Sequence, residues 1–84
     1  MKVRPAAVAG TFYPDDAHDL RLVVQHCIDR AVPAQPDAPV PKALVVPHAG
    51  LVYSGPIAAS AYLRLSPAHT SIRRVVLLGP SHRV

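Results

Sequence analysis

Ala43-Leu44-Val45-Val46-Pro47-His48-Ala49-Gly50 and, further along, Val75-Val76-Leu77-Leu78-Gly79-Pro80-Ser81-His82 repeat one pattern. Each is a short continuous apolar run, stopped by Pro or Gly-Pro and followed by a histidine. Runs of this kind are expected of strands buried on both faces. Between them, Ser54 can cap a helix with Pro56 tolerated in its first turn, and Ile57, Ala58, Ala61, Tyr62 and Leu65 mark one helical face before Pro67 ends it. Residues 43 to 78 therefore read as strand, helix, strand, which is a βαβ unit. A βαβ crossover makes the two strands parallel, with their C-terminal ends on one edge of the sheet. Ligand sites of open parallel sheets sit outside that edge, and both histidine loops open there.

Upstream, Leu20, Val23, Val24, Cys27, Ile28 and Ala31 recur at steps of three and four from Asp15 to Ala31, the stripe of an amphipathic helix. Asp15 or Asp16 can cap its start, Asp19 sits in the first turn where the helix dipole favours a negative charge, and Arg30 lies in the last turn. Pro33 stops it. Pro33, Pro36, Pro39 and Pro41 then mark an extended connector. The expected fold class is α/β: an N-terminal helix followed by a βαβ unit with parallel strands.

The chain has 84 residues, ten of them proline, with one cysteine and a formal net charge of +4. That describes one small domain at most. Chains of this size bury only about 60% of the surface their unfolded form exposes, and Cys27 has no intramolecular partner for a disulfide staple. The cysteine usage points to a reducing, cytoplasmic setting. The apolar runs fall far short of the roughly 20 residues that span a bilayer, and Pro5 to Tyr13, broken by Gly10, is too short for a signal-peptide apolar region.

The charge is unevenly placed. Asp15, Asp16, Asp19, Asp29 and Asp37 are the only carboxylate side chains, and Lys42, Arg64, Arg73, Arg74 and Arg83 follow them unopposed. These cations are dispersed and lack aromatic interleaving, so a nucleic-acid groove is not expected; solvated surface charge is the default reading.

The two strand-end histidines carry the chemistry. His48 and His82 stand at equivalent strand ends, and neighbouring strands about 4.8 Å apart would bring both imidazoles to one point. Neutral imidazole suits Fe, Cu, Zn or Ni. The same two residues also read as ordinary loop histidines, and two ligands alone settle neither the choice nor the metal. His18, His26 and His69 read as surface residues, and Cys27, on the apolar stripe, as a small core hydrophobe. Ser81 lacks the G-x-S-x-G elbow of a serine nucleophile. Gly50 to Gly55 has the spacing of a phosphate loop but is followed by Pro56 and Ile57 in place of Lys and Ser/Thr.

Read together, Arg4 to Pro14 (Arg-Pro-Ala-Ala-Val-Ala-Gly-Thr-Phe-Tyr-Pro), Val45 to Gly55 and Val76 to His82 resemble three ordered motifs of the Memo family, which includes the bacterial AmmeMemoRadiSam system protein B. The resemblance implies an α/β sandwich related to class III extradiol dioxygenases, which use non-heme iron. It implies that His48 and His82 are two metal-site histidines, holding Fe(II) or Cu, and that Phe12 and Tyr53 line the pocket. Animal members have Trp where Phe12 stands, so an indole N–H donor is lost here, and Leu51 replaces a common aromatic. The family's cysteine ligand and its further Asp and His residues belong to a later portion of a much longer chain. Cys27 precedes both histidines and does not inherit the ligand role.

Residues 1–84 are accordingly expected to be a partial Memo-like domain, the N-terminal segment of a larger one, inactive in isolation. Its whole protein would be a metal-dependent oxidoreductase or dioxygenase-like protein taking a small molecule or peptide. The alternative is a non-catalytic peptide- or anion-binding module using the same cleft. Neither reading calls for nucleic acid or membrane.

Overall fold

The computed structural model describes residues 2–80. Two α-helices organise them, α1 (Ala17–Arg30) and α2 (Leu51–Tyr62), and α2 tightens into a 3-10 helix over Leu63–Ala68. α1 follows its periodicity. Asp16 is the N-cap and its carboxylate accepts from the Asp19 N–H at 2.9 Å, which satisfies one of the first-turn donors that have no intrahelical partner. Cys27 is buried at the centre of the stripe, with Leu20, Val23, Ile28 and Ala31 half-buried around it. On the outer surface Gln25 donates its amide to Asp29 one turn on, at 2.9 Å.

α2 departs from the expected helix in three respects. It starts earlier, with Gly50 and not Ser54 at the N-cap, so Pro56 lies inside the helix beyond its first turn. The proline removes the donor that would reach the Val52 carbonyl, and Val52 is an exposed residue whose carbonyl can turn to water. The packing face also differs. Ser54, Gly55 and Ala59 are buried; of the expected stripe Ala58, Ala61 and Leu65 are half-buried, whereas Ile57 and Tyr62 are exposed. Finally, Pro67 does not end the α-helix; the helix has already changed to 3-10 hydrogen bonding at Leu63, and Pro67 sits within that segment.

Small residues decide which face of α2 meets α1. A Cβ built on Gly55 would collide with Cys27 Sγ and lie 3.4 Å from Cys27 Cβ, so the two helices touch where glycine permits it. A second tie comes from Ser60. Its hydroxyl donates to the Pro56 carbonyl at 2.8 Å and accepts from the Val32 N–H at 2.9 Å, joining α2 to the chain just past α1. The proline-rich connector then turns at Gln35 to Ala38, and the Arg64 guanidinium reaches the Pro39 carbonyl at 3.3 Å.

The two apolar runs that flank α2 are extended, and the parallel pairing expected of them is not shown: among the described residues neither forms a strand ladder, and the β pairing is an isolated parallel bridge between Ala9 and Tyr13. In the first run Leu44 and Val46 are half-buried and Val45 is 99% exposed. In the second run Val75 to Leu78 are 77–88% exposed. Parallel strands are stable when both faces are covered; here the first run is half-covered at Leu44 and Val46, and the second is open on both sides. No helix among the described residues is long and apolar enough to cross a membrane.

Candidate functional site

The first histidine loop is built by the start of α2. Gly50 is extended at φ −51° and ψ 153°, and its carbonyl accepts from the N–H groups of Tyr53 (2.9 Å) and Ser54 (3.0 Å). This closes the first turn directly after Pro47-His48-Ala49. His48 is exposed two residues before the N-cap, and Tyr53 is 80% exposed in that same first turn. The motif from Val45 to Gly55 thus forms one local unit: an extended run, a histidine loop and a helix start carrying an aromatic ring.

Phe12 is presented by a different device. The Val8 carbonyl accepts from the N–H groups of Thr11 and Phe12, both at 3.0 Å, and the Gly10 N–H donates to the Tyr13 carbonyl at 2.6 Å. Gly10 adopts φ +83°, a left-handed conformation that disfavours residues with a Cβ. The result is a tight turn that leaves Phe12 64% exposed.

His82 and Ser81 lie outside the described residues, so the described part of the candidate centre consists of His48, Tyr53 and Phe12. Among the described residues no group of three or more His, Cys, Asp or Glu side chains is placed to hold a metal ion. The remaining histidines behave as read from the sequence: His18, His26 and His69 are exposed, and the His69 ring Nδ1 lies 2.8 Å from the Ser66 carbonyl, which occupies it in a local turn. Cys27 is buried between α1 and α2, the core position expected of it. The feature that periodicity missed is the close helix contact at Gly55. Its signal is the set of small residues Ser54, Gly55 and Ala59, which the apolar stripe passes over.

The family model for Memo-like proteins matches residues 4–84. A MEMO1 family protein of Aquifex aeolicus is 43% identical over 83 residues, covering 98% of this chain and 28% of the relative. One from Ignicoccus hospitalis is 40% identical over 91 residues, covering 98% of this chain and 31% of the relative. One from Methanopyrus kandleri is 40% identical over 85 residues, covering 94% and 30%. The chain spans under a third of the length of these relatives. No solved structure matches it significantly. With the family match running through the Gly10 turn, the His48 loop and the second apolar run, the chain belongs to the Memo family.

Proposed function

We propose that this chain supplies two imidazole ligands, His48 and His82, to a non-heme iron or copper centre at the C-terminal edge of a parallel strand pair formed by residues 43–46 and 75–78. The observation that carries this reading is the position of His48: exposed, directly after an extended apolar run and directly before the closed first turn of α2. The alternation of half-buried Leu44 and Val46 around exposed Val45 supports a strand at the first run, and α2 lies between the two runs as a crossover helix would. His82 follows the second run as His48 follows the first.

The donor chemistry fits the metal. Neutral imidazole suits both iron and copper, and a two-histidine set needs at least one further ligand, which these histidines leave room for. When bound, such a metal supplies a redox centre with open coordination positions. The chain's own part is to hold two imidazoles and to place the Tyr53 and Phe12 rings at the approach. Substrate and reaction belong to the whole protein.

Titration of the whole protein with Fe(II) under anaerobic conditions and with Cu(II) tests the ligand assignment. Stoichiometric binding that disappears in the His48→Ala, His82→Ala double variant is expected; unchanged stoichiometry in that variant would sink it. The exposure of both Tyr53 and Phe12 favours a second reading, a cleft that holds a peptide or anion through aromatic contact and imidazole hydrogen bonds. Metal-free protein that binds such a ligand would favour it over the metal centre.

A further inference from the structure

We propose that Cys27 is a positioning residue for the first histidine: by its contact with Gly55 it fixes the first turn of α2 and so sets where the His48 imidazole stands. The effect on a bound metal rests on the ligand reading above; the effect on the imidazole itself does not.

A short series of internal contacts carries it. Cys27 is buried on α1, and its Sγ stands where a Gly55 side chain would begin. Gly55 follows Ser54, which is buried on the same helix. The Ser54 N–H donates to the Gly50 carbonyl at 3.0 Å, and Gly50 is the N-cap two residues after His48. Leu51, one helical turn before Gly55 and so on the same face, is half-buried, and its Cβ lies 3.9 Å from where a Gly55 Cβ would stand. The side of α2 that meets α1 therefore begins at its first residue, next to the histidine loop.

The other half of α2 is held separately. The Ser60 hydroxyl accepts from the Val32 N–H at 2.9 Å, so α2 cannot move outward as a whole without breaking that bond. A change of spacing at Gly55 tilts the helix instead, and the displacement appears at Gly50 and His48. Packed interiors transmit such strain because they compress little, and extra volume in them shifts backbone. Metal ligands are sensitive to shifts of this kind, since groups that orient a ligand without touching the metal change affinity by about 10–100-fold. Cys27 takes this role through its volume and not as a ligand.

Gly55→Ala, Cys27→Ala and the double variant, made in the whole protein, test the proposal. Proton–nitrogen correlation spectra of the metal-free protein report the His48 ring, with His48→Gln assigning its resonances. The His69 ring, 2.8 Å from the Ser66 carbonyl in its own turn, is the internal reference. Gly55→Ala is expected to move the His48 resonances, leave those of His69 in place and weaken Cu(II) binding by about tenfold. The double variant, which returns the lost space, is expected to restore both. Asp16→Ala separates position from stability: it removes a cap roughly 16 Å along α1 from Cys27 and is expected to leave the His48 resonances and Cu(II) affinity unchanged. Should Gly55→Ala not fold, Cys27→Ala decides, because withdrawing the sulfur lets α2 settle toward α1 and the His48 resonances should move. Unmoved His48 resonances in a folded Gly55→Ala variant, or in Cys27→Ala where the other does not fold, would overturn the proposal. So would a shift that the double variant fails to reverse, or an equal shift in Asp16→Ala. A parent protein that takes up no Cu(II) overturns the ligand reading instead, and the imidazole spectra still decide the role of Cys27.

Discussion

Gly55 of α2 lies against Cys27 of α1 so closely that the cysteine sulfur stands where a Gly55 side chain would begin. This contact sets the distance between the two helices and makes their packing a matter of volume rather than of hydrophobicity. Gly55→Ala is expected to destabilise the chain by about 1–2 kcal/mol through overpacking, even though alanine is the better helix former by about 1 kcal/mol. Cys27→Ala opens the same space, so the double variant should recover at least about 0.5 kcal/mol relative to the sum of the single effects. Urea unfolding followed by circular dichroism measures all three.

Ser60 links α2 to the chain leaving α1 through two hydrogen bonds of one hydroxyl. Ser60→Ala removes both. A loss of about 0.5–1 kcal/mol is expected, at the lower end for hydrogen bonds because Val32 is exposed and its N–H can turn to water. Faster amide exchange at Val32, with exchange in the middle of α1 unchanged, identifies the lost bond as the cause.

The Asp16 cap gives a third test. Asp16→Ala should cost about 1 kcal/mol and reduce the helical signal, because the Asp19 N–H loses its acceptor. Asp16→Asn keeps an oxygen in place and should restore most of the loss.

Thermal unfolding should be broad and of low cooperativity. Cys27 and Ala59 are the buried apolar residues among those described, and both are small. A chain of this size has little surface to bury beyond that. Calorimetry that showed a sharp transition with a midpoint well above about 50 °C would contradict this expectation.

Phe12 and Tyr53 separate a role at the site from a role in the fold. Each is largely exposed, so Phe12→Ala and Tyr53→Ala should leave unfolding free energy within about 0.5 kcal/mol of the parent. If the two rings shape the approach to a bound metal, both variants should surrender Cu(II) to a chelator faster than the parent chain does. Unchanged exchange rates would remove them from the site.

How much of this was readable in advance depended on whether one segment carried the information. α1 is legible almost to its cap: the stripe from Leu20 to Ala31, Asp15 or Asp16 at the start and Arg30 at the end are local features, and the structure selects Asp16 as the cap. The three motifs were equally legible, and the family match runs through all of them. The start of α2 was misplaced because Ser54 resembles a cap, whereas Gly50 closes the first turn through its carbonyl and leaves Ser54 free to be buried. Its packing face departs from the expected stripe for a related reason: Ala58, Ala61 and Leu65 are half-buried as that stripe implies, but Ile57 and Tyr62 are exposed, because the partner helix presents Cys27 and selects the side on which Gly55 lets the backbones approach.

The site divides along the same line. The order of residues already contained the His48 loop, an apolar run stopped by Pro47; the left-handed turn at Gly10 and the place of Tyr53 in the first turn of α2 emerge only in the structure. Helix-to-helix distance and the covered face of α2 could not be read that way, nor could the open sides of the runs at 43–46 and 75–78. Those are properties of two surfaces meeting or failing to meet, and small residues, which settle such meetings through volume, leave almost no mark on a hydropathy pattern.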